Sequence, residues 1–418
     1  MAKQNTSKYN TVILNPQKCK GCVTCMKRCP TEAIRVRNGK ASVMYDRCIG
    51  CGECVRLCPH QAKLPSYDSF DIIENYKYRI ALPAPSFYGQ FDNLSNIDYV
   101  LNGLLKIGFN DVFEVGRGAN ICSELTKIMF DQNKLVKPVI STACPAILDL
   151  ILVRFHDLKP HLLQILAPMD ISAKLAIKHA VEKGIKREDI GVFFISPCPA
   201  KVFAVKHGIG VETPYIDGVL SASEVYMKLL PVMKSVELKP LSQLSLQGIS
   251  WASSGGEAVN CSKEKYLAAD GIENVMKVLN ALEDGQLNNL EFIELNACVG
   301  GCVGGVMNVE NPFVAKARIR ELKKKLPMRF NVLADEGLGM DFYTWERSPE
   351  LKNVYSLSDD RMDAMKKMME IEKIYRELPH RDCGMCGAPS CRSFAEDIVN
   401  GVIDGDSKCW YKKYEENN

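Results

Sequence analysis

The sequence predicts an α/β protein with mainly parallel sheets, preceded by a small α+β domain and followed by a small, mostly α one. Three observations carry that reading. A cysteine pattern near the start occurs twice, 29 residues apart. From about residue 76, strand-like apolar runs alternate with amphipathic helical ones, the texture of layered α/β folds. Near the end, a charged, methionine-rich helix leads into a different cysteine group. The boundaries read as 1–75, 76–355 and 356–418, in line with a soft prior of about 150 residues per domain.

Composition narrows the class. A hydrophobic content of 46% with 25% charged residues is that of a globular chain able to bury a core. A net charge of +3 is too small to argue for nucleic acid or an anionic membrane. No apolar run reaches the ~18 residues of a membrane span. The N-terminal stretch MAKQNTSKYNTVILNP has neither an apolar h-region nor a twin arginine. The expectation is a cytoplasmic chain. Eighteen cysteines in a reducing compartment then argue for metal ligation rather than disulfides.

The first domain is its repeat. CKGCVTCMKRCP supplies Cys19, Cys22, Cys25 and Cys29, and CIGCGECVRLCP supplies Cys48, Cys51, Cys54 and Cys58. Each reads C-x2-C-x2-C-x3-C-P, the bacterial ferredoxin run, in which the fourth cysteine ligates the other cluster. The assignment is Cys19, Cys22, Cys25 and Cys58 for one [4Fe–4S] cluster, and Cys48, Cys51, Cys54 and Cys29 for the second. A pair of zinc sites is the alternative, against which the spacing weighs.

In the middle domain, strands read over 78–85, 137–142, 189–196 and 290–297. Helices read near 96–107, 119–132, 170–183 and 222–234, the last with Ser221 or Ser223 as a candidate cap. Ligands of such folds gather beyond the C-terminal ends of strands. The second, third and fourth of these strands run into Cys144, into Cys198 and Lys201, and into Cys298 and Cys302. Three strand ends deliver four thiols, the number a cubane requires. Singly, each is ordinary buried filler; together they point to a site.

A helix over 358–377 reads as a connector packed on one face. Beyond it, Cys383, Cys386, Cys391 and Cys409 form C-x2-C-x4-C-x17-C, a further iron–sulfur or zinc site, with a helix following the CGAPSC loop. Cys122 and Cys261 remain as core thiols or neighbours of a site.

STACPA, SPCPAK and NACVGGCVGG resemble the three signature segments of the [FeFe]-hydrogenase catalytic domain, in the same order. The likeness covers residues 1 to about 320, and the C-terminal module is similar to four-iron domains of several anaerobic enzymes. The resemblance implies a two-lobed catalytic domain. Cys144, Cys198, Cys298 and Cys302 then hold the cubane of an H-cluster. Cys302 bridges it to a two-iron subcluster carrying CO, cyanide and a dithiolate with a central amine. Lys201 matches the family lysine that places an ammonium on an iron-bound cyanide. Glycines 300, 301, 304 and 305 are expected to let backbone approach the cofactor. With the two N-terminal clusters and the C-terminal one, the set is an H-cluster and three accessory [4Fe–4S] clusters. Implied partners are H2, protons, ferredoxin or another redox or signalling protein, and dedicated maturation enzymes.

Departures from the family pattern matter as much. Active members read TSCCP, and the first of those cysteines relays protons; this chain has Ala143 there. Ser196 and Asn296 stand where members place methionines against the two-iron unit, and Ala204 replaces a glutamate. In GANICSELTK, Leu125 and Thr126 occupy the positions nearest the usual relay glutamates. The combination resembles the sensory branch of the family, so the leading expectation is reversible H2 chemistry with low turnover in an H2 or redox sensor. No signalling domain fits within the chain, so output passes to a separate protein. The alternatives are a metabolic hydrogenase with protons rerouted through Glu257 or Glu124, and a non-enzymatic assembly factor that keeps only the cubane.

Overall fold

The run Ile190–Ser196 is polar only at its last residue and buried throughout, the pattern of a strand covered on both faces. In the computed structural model, which describes residues 10–133, 135–261, 264–403, 409 and 411, it is a central strand of a four-stranded sheet. The order is Asp111–Val112, Tyr78–Pro83, Ile190–Ser196, Gly218–Ser221, all parallel. Register pairs Tyr78 with Ile190 and Ser196 with Ser221. A second parallel sheet has the order Tyr266–Asp270, Phe292–Asn296, Val139–Ile140. Both sheets belong to one unit, Ile49–Gly52 with Pro65–Glu350.

Parallel pairing requires crossovers, and the anticipated helices supply them: Asp98–Lys106, Val115–Asp131, Pro168–Glu182 and Ala222–Met233. The second begins earlier than its periodicity suggests, because its first turn, VGRG, is poor in helix formers. Ser221 is the N-cap residue of the last but makes no side-chain capping bond. Strands at Asp111–Val112, Gly218–Ser221 and Tyr266–Asp270 were not foreseen. The first two are too short to show a pattern, and the third, YLAAD, is rich in weak strand formers. Proline at the first helical position starts Pro145–Arg154 and Pro199–His207 directly after their strands. Cys144 and Cys198 are therefore the N-cap residues of two helices.

The other unit joins the two ends of the sequence: Met1–Cys48, Glu53–Leu64 and Leu351–Asn418. Its N-terminal part shows the repeat in three dimensions. The helices Thr24–Lys27 and Glu53–Arg56 stand 29 residues apart, the spacing of the cysteine runs. Ile34–Arg37 and Lys40–Val43 form an antiparallel hairpin closed by Asn38 and Gly39, both at positive φ as a two-residue turn requires. The C-terminal segment packs on this hairpin. Gly387 O accepts from Val36 N–H at 2.9 Å. Arg35 grips Asp397 with two bonds of 2.7 and 3.1 Å, and Arg37 adds a third to the same carboxylate. Lys27 Nζ donates to Pro389 O at 2.8 Å.

The connector is the helix Arg361–Arg376, begun by Asp360, whose carboxylate accepts from Asp363 N–H. Ile371 is its buried residue, while Met362, Met365, Met368 and Met369 lie exposed.

Candidate functional site

The two sheets of the larger unit aim their C-terminal ends at one cavity with about 600 Å³ of empty space. Its wall takes Ala84 from beyond Tyr78–Pro83, Ala143 from beyond Val139–Ile140, and Pro197 and Lys201 from beyond Ile190–Ser196. Glu294, Asn296 and Cys302 come from Phe292–Asn296 and the loop after it. Trp251 and Met169 make much of the remainder apolar.

Lys201, on the first turn of its helix, locates the four thiols. Its Nζ lies 3.9 Å from Cys302 Sγ and donates to Ala143 O at 3.4 Å. Burial works against its charge, but Cys302, Cys198, Cys144 and Cys298 together outweigh burial and raise its pKa. All four cysteines from three strand ends therefore surround one ammonium. Burial in turn raises the thiols of Cys198 and Cys302, the latter to about 11 despite the opposing ammonium. The donor set fits a cubane, and the cavity beyond Cys302, with a cation on its wall, fits an appended anionic group.

The glycines do something other than expected. Gly300 and Gly301 hold φ of +82° and +90°. A Cβ on Gly301 would stand 2.4 Å from Ser254 N, and one on Gly305 would stand 2.3 Å from Pro197 O. Their smallness serves close backbone packing and turn geometry, so it is no evidence for a bulky cofactor.

Glu257 lines the cavity from the short helix Gly256–Cys261. Ser141 Oγ donates to its Oε2 at 2.6 Å and accepts from Ala143 N–H at 3.2 Å. Sequence reasoning passed over Glu294, which stands beside it. Glu294 accepts from Gly255 N–H at 3.0 Å, Ala258 N–H at 2.9 Å and Asn296 Nδ2 at 2.8 Å. Burial raises both carboxyls, and the charge of Glu294 pushes Glu257 up further. With three donors on Glu294 and one on Glu257, Glu257 is the partner that keeps a proton. A charged residue inside the apolar run Phe292–Leu295 was the available signal.

The other candidates separate. Asn296 lines the cavity and holds Glu294. Ser196 is fully buried and turns its hydroxyl onto the backbone of Cys198, 3.0 Å from the carbonyl O. Glu124 is half-buried and accepts from Leu333 N–H. Leu125 and Thr126 are fully buried, with Thr126 Oγ1 bonded to Cys122 O. Cys122 and Cys261 are buried within electrostatic reach of Glu257, and burial raises both thiols far above their ordinary range.

In the smaller unit, Cys19, Cys22, Cys25 and Cys58 line a cavity of about 300 Å³. Cys29, Cys48 and Cys54 form a second neighbourhood, in which burial and the adjacent thiols raise Cys54. Cys51 lies on Ile49–Gly52, part of the larger unit, where a Cβ on Gly52 would meet Val306 at 2.8 Å. Cys383, Cys386, Cys391 and Cys409 line a cavity of about 340 Å³. Cys391 opens the helix Cys391–Val399, and Asp382 accepts from its N–H at 2.6 Å. Among the described residues, no three His, Cys, Asp or Glu side chains converge as ligands of a single ion would. Thiols gripping the corners of a four-iron cube stand farther apart than that.

Three family descriptions match the chain. "Iron only hydrogenase large subunit, C-terminal domain" matches residues 77–262 and 231–306. A 4Fe-4S dicluster domain matches 11–59, and an Fe-S cluster family matches 378–407. A search of curated proteins gives no match. Solved structures that share the fold include two variants of the [FeFe]-hydrogenase HydA1 from Chlamydomonas reinhardtii, each at 16% identity with TM-scores of 0.50 and 0.51. Another is HydA(deltaEFG), described as revealing stepwise H-cluster assembly, at 15% identity and a TM-score of 0.50. Each match covers 66% of this chain and 95% of the other.

Proposed function

Since the chain belongs to the iron-only hydrogenase family, whose catalytic-domain description matches it between residues 77 and 306, we propose that it is a slow, reversible hydrogenase serving as an H2 or redox sensor. Cys144, Cys198, Cys298 and Cys302 would hold the cubane of an H-cluster, and the cavity beside Cys302 would take the two-iron unit. When bound, that group supplies the redox chemistry by which two protons and two electrons interconvert with H2. The cysteine sets of the smaller unit would hold the accessory clusters that carry the electrons, and an electron-transfer or signalling protein such as ferredoxin would exchange them.

The protein's own residues set the rate. Lys201 fixes a positive charge in a largely apolar cavity, where it is worth more than in water. Apolar walls exclude solvent from that charge. Ala143, in the wall next to Cys144, offers only a methyl group where active relatives carry a thiol, so it neither gives nor takes a proton. That residue is the single observation on which the slow-sensor reading stands. A sensor must equilibrate with H2, and it has no need to turn over fast.

Glu257 favours a second reading, a metabolic hydrogenase with a rerouted proton path. It holds a proton at the cavity wall and has a hydroxyl partner in Ser141, which also accepts from Ala143 N–H. The two readings divide on rate. General acid–base help is worth ~10²–10⁴-fold. Full-length protein loaded with the two-iron cofactor should oxidise and evolve H2 at rates lower than thiol-bearing relatives by about that factor. Rates equal to theirs would exclude the sensor reading and leave the rerouted path.

A further inference from the structure

Residue 63 breaks the internal repeat. The corresponding stretches are CPTEAI and CPHQAK, so Lys63 stands where the first half has Ile34. Both positions are 2% exposed. Ile34 packs with Cys19, Cys25, Met26 and Ala62, as an apolar core residue should. Lys63 is buried equally deep, and its Nζ has no hydrogen-bond partner. An ammonium removed from water without a counter-charge is strongly unfavourable. The fold has therefore placed a lone cation at one of two equivalent sites and not at the other.

Its surroundings identify what it faces. Lys63 lines the same cavity as Cys19, Cys22, Cys25 and Cys58. It lies within electrostatic reach of Cys25 and Cys58, and also of Cys54 from the other set. A four-iron cluster on four thiolates carries net negative charge, which grows by one on reduction, and nearby charge and hydrogen bonds to its sulfurs tune its potential. A buried ammonium at that wall stabilises the reduced form more than the oxidised one.

We infer that Lys63 is the buried counter-charge of the cluster held by Cys19, Cys22, Cys25 and Cys58, and that it raises the reduction potential of this cluster above that of its repeat partner. The two halves of the repeat are thereby made unequal, and an electron shared between them resides on the cluster beside Lys63. The inference rests on the dicluster reading of residues 11–59 and not on the H-cluster.

The experiment is an EPR-monitored redox titration of full-length protein with reconstituted clusters and no two-iron cofactor. Iron is quantified in each sample for wild type, Lys63→Met, Lys63→Gln and Lys63→Arg. The Met and Gln variants should lower the midpoint of one N-terminal cluster by at least a tenfold change in its reduction equilibrium, ~59 mV for one electron. The other cluster should move less, and the Arg variant should stay near wild type. Unchanged midpoints in iron-complete Met or Gln variants would overturn the proposal, as would an Arg variant displaced as far as Met. Should Met and Gln both lose one cluster's iron while Arg keeps it, charge is required and the proposal stands. Loss in all three would make the position steric and overturn it. Wild-type protein without N-terminal iron would defeat the dicluster reading itself, a separate outcome.

Discussion

Asp397→Asn removes the one carboxylate that the hairpin arginines share and leaves the shape of the side chain intact. Arg35 and Asp397 are 4% and 6% exposed at their side chains, joined by bonds of 2.7 and 3.1 Å. Taking one partner from such a buried pair strands the other charge, at a cost of about 3–5 kcal/mol. Arg37, 26% exposed at its side chain, keeps part of its hydration and adds little. At about 1.4 kcal/mol per tenfold, opening of the C-terminal segment should become roughly a hundredfold to a few thousandfold more frequent. Hydrogen exchange of the slowest amides in Cys391–Val399 and Ile34–Arg37 reads that opening directly, without assuming two-state unfolding. Replacing both members together, Arg35→Met with Asp397→Leu, should restore most of the protection, since apolar groups of similar volume often replace a buried pair without loss. A single-variant change below threefold would refute the argument that this ion pair fastens the two ends of the chain together.

Ala143→Cys should raise turnover of the cofactor-loaded protein only in part, because Leu125 and Thr126 leave the outer part of the usual relay without carboxyls; recovery to the full ~10²–10⁴-fold would show that an outer path exists. Glu257→Gln keeps the shape of the side chain and deletes the titrating group, so turnover should fall at least tenfold, and a change within twofold would remove Glu257 from the mechanism. Asp170 tests the electrostatics of the larger unit. Burial, followed by the charge of Glu346, raises its carboxyl to about 7 against the pull of Lys174 and Lys201. Because the folded value is raised, the folded state holds a proton that the unfolded chain releases. Its contribution to stability is complete at pH below about 4 and is lost as pH rises through about 7, a change of about 4 kcal/mol at most. Asp170→Asn should match wild type in urea midpoint at pH 4 and exceed it at pH 8; equal midpoints at both would contradict this.

Ligand chemistry is what made the site readable in the sequence. A cubane fixes the spacing of its thiolates, so Cys19 to Cys58 and Cys383 to Cys409 announce themselves locally, and parallel strands expose their C-terminal ends, which gathered Cys144, Cys198, Cys298 and Cys302. What stayed hidden depends on partners far away in the chain. Glu294 reads as an oddity in a strand until Gly255, Ala258 and Asn296 are seen to hold it. The union of the two ends depends on Arg35 and Asp397, 362 residues apart. The glycines around Cys302 misled because crowding from Ser254 and Pro197, which only the fold reveals, explains them. Lys63 was visible as a break in the repeat, but its meaning needed its burial and its unpartnered Nζ.

Whether the cavity beside Cys302 and Lys201 takes a two-iron unit is the central claim, and infrared spectroscopy addresses it directly. Full-length protein with complete iron–sulfur clusters is incubated with the two-iron cofactor, freed of excess, and examined where protein itself does not absorb. The account predicts sharp bands of bound CO and cyanide, with the cyanide bands shifted in Lys201→Met because an ammonium beside the cavity is gone. Iron-complete protein that retains no CO or cyanide bands would contradict it.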